Sequence, residues 1–204
     1  VLDDGWFGQR NDDHAGLGDW VANPERLPNG IKGLSERIEA MGIKFGLWFE
    51  PEMTNKDSDL YRAHPDWILH TPGRNASHGR YQYVLDFSRK EVVEYIYEMM
   101  AKILSEAKVS YIKWDMNRSI TECYSVALPA DRQGEVFHRY ILGVYDLYER
   151  LTSEFPEVLF ESCSSGGGRF DPGMLYYAPQ GWTSDDSDAI ERLKIQYGTS
   201  LCYP

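Results

Sequence analysis

The sequence predicts an α/β fold of parallel strands, a (β/α)8 TIM-type barrel of which residues 1–204 form an incomplete portion with about six of eight strands. Three observations lead there. Short apolar runs alternate with long amphipathic helices, the pattern of parallel strands joined by crossovers. Nearly every run ends in polar or acidic residues: Asp3 and Asp4, Trp48 and Glu50, Asp86, Lys113 and Asp115, Cys163, Asp185. A doubly wound sheet would concentrate such residues at one switch point, whereas a barrel collects them around one rim. Finally, 204 residues fall short of the roughly 250 typical of the complete fold, so at least one strand is expected to be missing at each end.

Taken in order, residues 1–5 read as a strand end followed by an acidic, glycine-rich loop. A helix is expected over 31–41, with Ile31, Leu34, Ile38 and Met41 at helical spacing and Gly42 as its stop. Residues 43–49 and 81–87 read as the next two strands. The strongest helix covers 90–107, where Val92, Val93, Ile96, Met99, Met100, Ile103 and Leu104 line one face. A strand over 109–115 leads to a helix over 134–153, striped by Phe137, Tyr140, Ile141, Val144, Leu147, Tyr148 and Leu151. Residues 158–163 and 180–185 read as strands. A last helix opens near Asp188, which stands three before Glu191 at capping-box spacing.

Composition narrows the class of protein. A formal net charge of −11 argues against nucleic acid or an anionic membrane surface as partner. No apolar run approaches the roughly 18 residues of a membrane span. The three cysteines, Cys123, Cys163 and Cys202, lack metal-type spacing and fit reduced thiols in a cytoplasmic setting.

The segment Tyr111-Ile112-Lys113-Trp114-Asp115-Met116-Asn117-Arg118 carries the most chemistry. Strand alternation sends Lys113, Asp115 and Asn117 to one side and Ile112, Trp114 and Met116 to the other. Burying a lysine, a carboxylate and an amide on one inward face costs several kcal/mol unless that face lines a polar pocket. There the Lys113 cation favours ionised Asp115, as a nucleophile requires. A structural salt bridge would account for Lys113 and Asp115, but not for Asn117 beside them. A second acidic cluster, Ser184-Asp185-Asp186-Ser187-Asp188, follows the last strand. Helix capping explains Asp188 and leaves Asp185 and Asp186 over, with Asp185 nearer the strand end and suited to general acid work beside Trp182. Two carboxylates from two strand ends are what cleavage of a glycosidic bond needs.

Asp3 and Asp4 could grip adjacent sugar hydroxyls, each charge-assisted bond worth about 1.5–3 kcal/mol, or could serve a simple Asp-Gly turn. The run Cys163-Ser164-Ser165-Gly166-Gly167-Gly168-Arg169 lacks the phosphate-loop pattern, and no histidine stands near to activate the thiol. Its glycines fit a closely packed wall where backbone amides approach a ligand. The five histidines form no zinc motif, so metal: none is the expectation, and Asp12, Asp13 and His14 read as a solvated turn.

Four segments resemble the catalytic barrel of α-galactosidases of glycoside hydrolase family 36: Leu2-Asp3-Asp4-Gly5-Trp6-Phe7-Gly8, Phe45-Gly46-Leu47-Trp48-Phe49-Glu50-Pro51-Glu52-Met53, Lys113-Trp114-Asp115-Met116-Asn117-Arg118 and Trp182-Thr183-Ser184-Asp185-Asp186. They stand in the family's order along the whole chain. The resemblance implies a retaining exo-α-galactosidase acting on oligosaccharides of the melibiose and raffinose type, with Asp115 as nucleophile and Asp185 as general acid/base. It further implies that Asp3 and Asp4 hold the galactose 4- and 6-hydroxyls and that Trp48 walls the subsite. Arg80, Lys113 and Asn117 would bond ring hydroxyls, with Cys163 and Gly166 against the 2-position. No metal or organic cofactor is required. The implied parent is a homo-oligomer with N-terminal and C-terminal β domains flanking the barrel. Ser165 stands where the family more often has glycine, and Ser187 where threonine is common. A galactosyl-transferring enzyme, an α-N-acetylgalactosaminidase and an inactive barrel excerpt are the competing readings.

Overall fold

A computed structural model describes residues 1–202. Its strands are β1 (Gly46–Phe49), β2 (Met53–Asn55), β3 (Gln82–Val84), β4 (Tyr111–Trp114), β5 (Leu159–Ser162) and β6 (Gln180–Gly181). β1, β4, β5 and β6 lie side by side in that order, all parallel. Leu2 extends the sheet beyond β1 through a parallel bridge to Leu47, its amide on the Gly46 carbonyl at 2.9 Å. Spatial order therefore follows sequence order across the whole sheet, without a switch point.

The strand expected over 81–87 does not join this sheet. Its core, β3, pairs antiparallel with β2 (Met53↔Val84, Asn55↔Gln82). A parallel connection needs a crossover of a dozen or more residues, usually a long helix. Between β2 and β3 the chain offers only α2 (Asp59–Ala63) and a single 3-10 turn at Pro65–Trp67. The segment folds back on β2 instead, just past the end of β1, so Asp86 belongs to this excursion and not to the parallel sheet.

Long helices fall close to their sequence expectations. α1 (Gly30–Ala40) precedes β1, and Gly42, with φ +79°, follows its C-cap Met41. α3 (Lys90–Glu106) buries Val92, Val93, Ile96, Met100 and Leu104, with Met99 and Ile103 at the margin of the stripe. α4 (Val136–Glu154) buries Tyr140, Val144, Leu147, Tyr148 and Leu151. α5 (Pro172–Tyr177) was not anticipated; Asp171 caps it, its Oδ1 taking the amides of Gly173 and Met174, and Pro172 sits where no amide is needed. α6 (Ala189–Ser200) is capped by Asp188 as expected. The capping box closes only halfway, because Glu191 turns to Lys194 and Asp186 takes the Asp188 amide. None of the described helices is long and apolar enough to cross a membrane.

Parallel register puts cross-strand partners on a common face, which divides the sheet chemically. Leu47, Phe49, Ile112, Trp114 and Phe160 share one face and are fully buried. Tyr148 of α4 stacks on Trp114 at 4.0 Å between centroids and meets Phe160 edge-on at 5.8 Å. Trp48, Lys113, Glu161 and Gln180 share the other face, which is polar.

One buried ion pair ties these layers together. Glu52, fully buried just past β1, receives both terminal nitrogens of Arg169 at 2.7 and 2.8 Å. The Trp114 indole donates to it at 2.8 Å, and the Tyr140 hydroxyl donates to its other oxygen. Removing one partner of such a pair strands the other charge in the interior. Arg169→Met in the whole protein is expected to lower unfolding stability by about 3–5 kcal/mol, read as a lower urea midpoint.

Candidate active site

Asp115 stands one residue past β4 and is only 6% exposed. Both neighbouring strands fix its backbone: its amide donates to the Phe49 carbonyl at 2.8 Å, and the Met116 amide donates to the Cys163 carbonyl at 3.1 Å. Its carboxylate is held as firmly. Oδ2 accepts the Trp48 indole N–H at 3.1 Å, Oδ1 accepts the Met116 amide at 2.9 Å, and the Cys163 thiol donates to the group as well. The Trp48 ring, 3% exposed, thus lies behind the carboxylate and orients it, with little open face of its own.

Lys113 points from the polar face to Asp3, Nζ to Oδ2 3.2 Å, and lies 5.3 Å from the centroid of the Trp182 ring. Burial works against its charge, but Asp3 foremost and Asp115 in addition outweigh that and hold its pKa above the ordinary lysine range. Asp3 and Asp4 are not an equivalent pair. Asp4 engages the buried Arg10, with Nη2 at 2.8 Å from Oδ2 and Nε at 2.9 Å from Oδ1, so a bidentate bridge fixes it while Asp3 answers to Lys113.

Asp185 follows β6 and is exposed. The Trp182 indole donates to its Oδ1 at 2.9 Å, and the same ring lies under Lys113, so Trp182 connects Asp185 to the Asp115 side of the site. Gly166 draws the two strand ends together. Its φ is +92°, and a Cβ there would lie 3.0 Å from the Ser184 Cα. The Gly167 amide donates to the Thr183 carbonyl at 3.2 Å. Gly166 and Gly167 therefore pack this loop closely on the Asp185 segment, as a close-packed wall requires.

Strand alternation places Lys113 correctly but ends at Trp114, since the chain leaves β4 there. Asn117 reaches the site by other means. Its amide donates to Glu50 Oε1 at 2.6 Å, and its Oδ1 accepts the Ser165 hydroxyl at 2.9 Å. Ser165 does this with φ +48°, a conformation that favours glycine. Arg80 is exposed at the far side, in a turn where it and Tyr81 have φ +52° and +59°; its charge acts on Glu50.

Glu50 and Arg10 were not singled out as site residues. Arg10 lies in a polar loop without periodicity, and nothing in its surroundings in sequence marks it. Glu50 carries a signal in the sequence, a carboxylate at the end of a fully apolar strand, which by itself marks only a place on the rim. Burial, ahead of every other influence, pushes its carboxyl up to about 7.

Asp12, Asp13 and His14 form an exposed cluster in a turn, with His14 Nδ1 3.0 Å from Asp13. Cys163 is buried, and that burial, with the Asp115 charge next, pushes its thiol up to about 12. It is a hydrogen-bond donor and not a nucleophile. Iodoacetamide at pH 8 is therefore expected to label the exposed Cys123 and leave Cys163 unmodified, as peptide mass spectrometry would read.

The whole chain, residues 1–204, matches the Melibiase family model. It is 60% identical to alpha-galactosidase AgaA of Geobacillus stearothermophilus and 57% identical to alpha-galactosidase Mel36A of Lactobacillus acidophilus, covering 100% of this chain and 28% of each relative. The chain thus spans just over a quarter of the length of these curated relatives. The crystal structure of GH36 alpha-galactosidase AgaA superposes with a TM-score of 0.97 over 100% of this chain and 28% of that one. The alpha-galactosidase of Thermus thermophilus in complex with stachyose gives 0.64 at 32% identity, over 93% of this chain and 38% of that one. A variant of AgaA has been solved in complex with raffinose. An end-to-end family match and a parallel α/β fold superposing so closely on solved members identify this chain as belonging to the Melibiase family, in glycoside hydrolase family 36.

Proposed function

We propose that residues 1–204 form the catalytic portion of a retaining exo-α-galactosidase that releases terminal galactose from oligosaccharides of the raffinose type. One observation carries the reading. Asp115, a carboxylate buried at a strand end, is held by three donors, and Asp185, on the sheet's growing edge, is exposed and tied back to it through Trp182 and Lys113. The immobilised group suits a nucleophile; the exposed one suits a group that must meet both leaving oxygen and water.

In this mechanism Asp115 attacks the anomeric carbon while protonated Asp185 gives its proton to the departing oxygen. The ionised Asp185 then takes a proton from water, which attacks the same carbon and frees galactose with net retention. Lys113, Asp3 and Asp4 present a charged rim to the sugar hydroxyls, and Arg80 and Asn117 extend it. Cys163 and Gly166 close the site near the 2-position. The names and ligands of the relatives support this substrate class: raffinose and stachyose occupy solved family members.

A sheet that adds strands in sequence order, with its polar residues gathered at the carboxyl ends, supports a (β/α)8 barrel in the complete protein. That protein would carry β-rich domains on both sides of the barrel and assemble as a homo-oligomer.

The test uses the whole protein with 4-nitrophenyl α-galactoside. Proton NMR should detect α-galactose as the first product; β-galactose first would mean inversion and refute the mechanism. Asp115→Ala should lower turnover by roughly 10³-fold or more. Azide should restore it with β-galactosyl azide as product. Asp185→Ala with azide should give the α-azide, because there the anion meets the covalent intermediate from the opposite face.

A further inference from the structure

We propose that Glu50 is a positioning residue of this site: its carboxylate fixes the turn carrying Asp115 and Asn117 and couples it to the turn carrying Arg80. The inference rests on the assignment of Asp115 given above. Glu50 directly follows β1 and is 0% exposed, where an unpaired carboxylate is costly. Among the described residues no lysine or arginine closes an ion pair on it. Glu52, two positions on, shows how this fold holds a purely structural carboxylate, with Arg169 bound through both nitrogens.

The partners of Glu50 are elements of the site. Oε1 accepts the Asn117 amide at 2.6 Å and Oε2 accepts Gln82 Nε2 at 2.9 Å. Three successive residues at the end of β1 thereby grip the exit of β4. The Trp48 indole holds the Asp115 carboxylate, the Phe49 carbonyl holds the Asp115 amide, and Glu50 holds the Asn117 amide. Gln82 lies directly after Arg80 and Tyr81, the two non-glycine residues with φ +52° and +59°. Backbone strain of this kind is found where a functional group must be aimed and persists only when neighbours enforce it. The Glu50–Gln82 bond is one such restraint.

The pocket also suits either protonation state of Glu50. Asp115 opposes its charge, while Asn117, through amide and side chain, and Arg80 favour it. Gln82 Oε1 is buried without a hydrogen-bond partner. A half-turn of the Gln82 amide would bring that oxygen to a protonated Glu50 as acceptor, while Oε1 of Glu50 kept the Asn117 amide. The clasp on the Asp115 turn thus survives the change of charge, and a neutral isostere should preserve it.

The experiment compares Glu50→Gln with Glu50→Ala in the whole protein. Glu50→Ala leaves the Asn117 amide buried without an acceptor and should lower kcat/KM by about 10- to 100-fold. Glu50→Gln retains that acceptor and should stay within about fivefold of wild type, a difference that loss of charge alone would not produce. Hydrogen exchange of the peptide spanning residues 115–118, followed by mass spectrometry without substrate, should accelerate in Glu50→Ala only. Peptides of α4 should be unchanged in both variants, which separates a local clasp from general destabilisation. Equal impairment of the two variants, or wild-type exchange at 115–118 in Glu50→Ala, would overturn the proposal. A wild-type protein that cleaves no galactoside would refute the functional reading instead, and the exchange contrast would still decide the role of Glu50.

Discussion

The buried pair of Glu52 and Arg169 is the constraint on which the arrangement depends. Glu52 sits where the chain leaves β1, and its oxygens collect Arg169 from the glycine-rich loop, Trp114 from β4 and Tyr140 from α4. Desolvating a carboxylate is affordable only when every lone pair is met, so the pair admits one relative placement of these four segments. That placement sets the site. With Arg169 anchored, the loop from Cys163 lies against the end of β4, where the Cys163 thiol reaches Asp115, and Gly166 packs on the segment that delivers Asp185. A hydrophobic contact is tolerant of sliding; a bidentate ion pair with two further donors is not.

Around that anchor the two carboxylates of the proposed mechanism occupy different worlds. Asp115 is buried and immobilised by an indole, an amide and a thiol, all neutral donors. Asp185 stands in solvent with one indole bond. Double displacement asks for this asymmetry, since one group must keep its geometry through a covalent intermediate and the other must exchange protons twice. Lys113 is paired to Asp3 and rests over Trp182, the ring whose indole bonds Asp185, so its positive charge links the two sides of the rim.

Much of the fold was legible because long apolar stripes have one good solution. α3 and α4 fall within a residue or two of their periodicities, and the apolar and polar faces of β4 alternate where the sequence does. Short elements were not legible. α2 and α5 are short, with Ser58 and Asp171 as their local caps and, for α2, the distant Asp19 taking two more first-turn amides, too small a local signal to stand out from a loop. Residues 81–87 misled for a different reason: their composition is that of any strand, and only the absence of a crossover helix before them decides that they pair with β2. In the site, Lys113, Asp115 and Asp185 announced themselves as charge at the ends of apolar runs. Arg10 did not, because its importance comes from being folded back on Asp4.

Local pattern and contiguous motifs were enough to specify the alternation of parallel strands and helices, the polar rim at the strand ends, and the family. Tertiary structure alone decided who holds whom. Trp48 orients Asp115 instead of presenting an open face, Glu50 rather than strand alternation places Asn117, and glycines bring two loops together. Each of these is a hydrogen bond or a close approach between segments distant in sequence, and the partner of a donor is fixed by where the backbone goes, which no local pattern encodes.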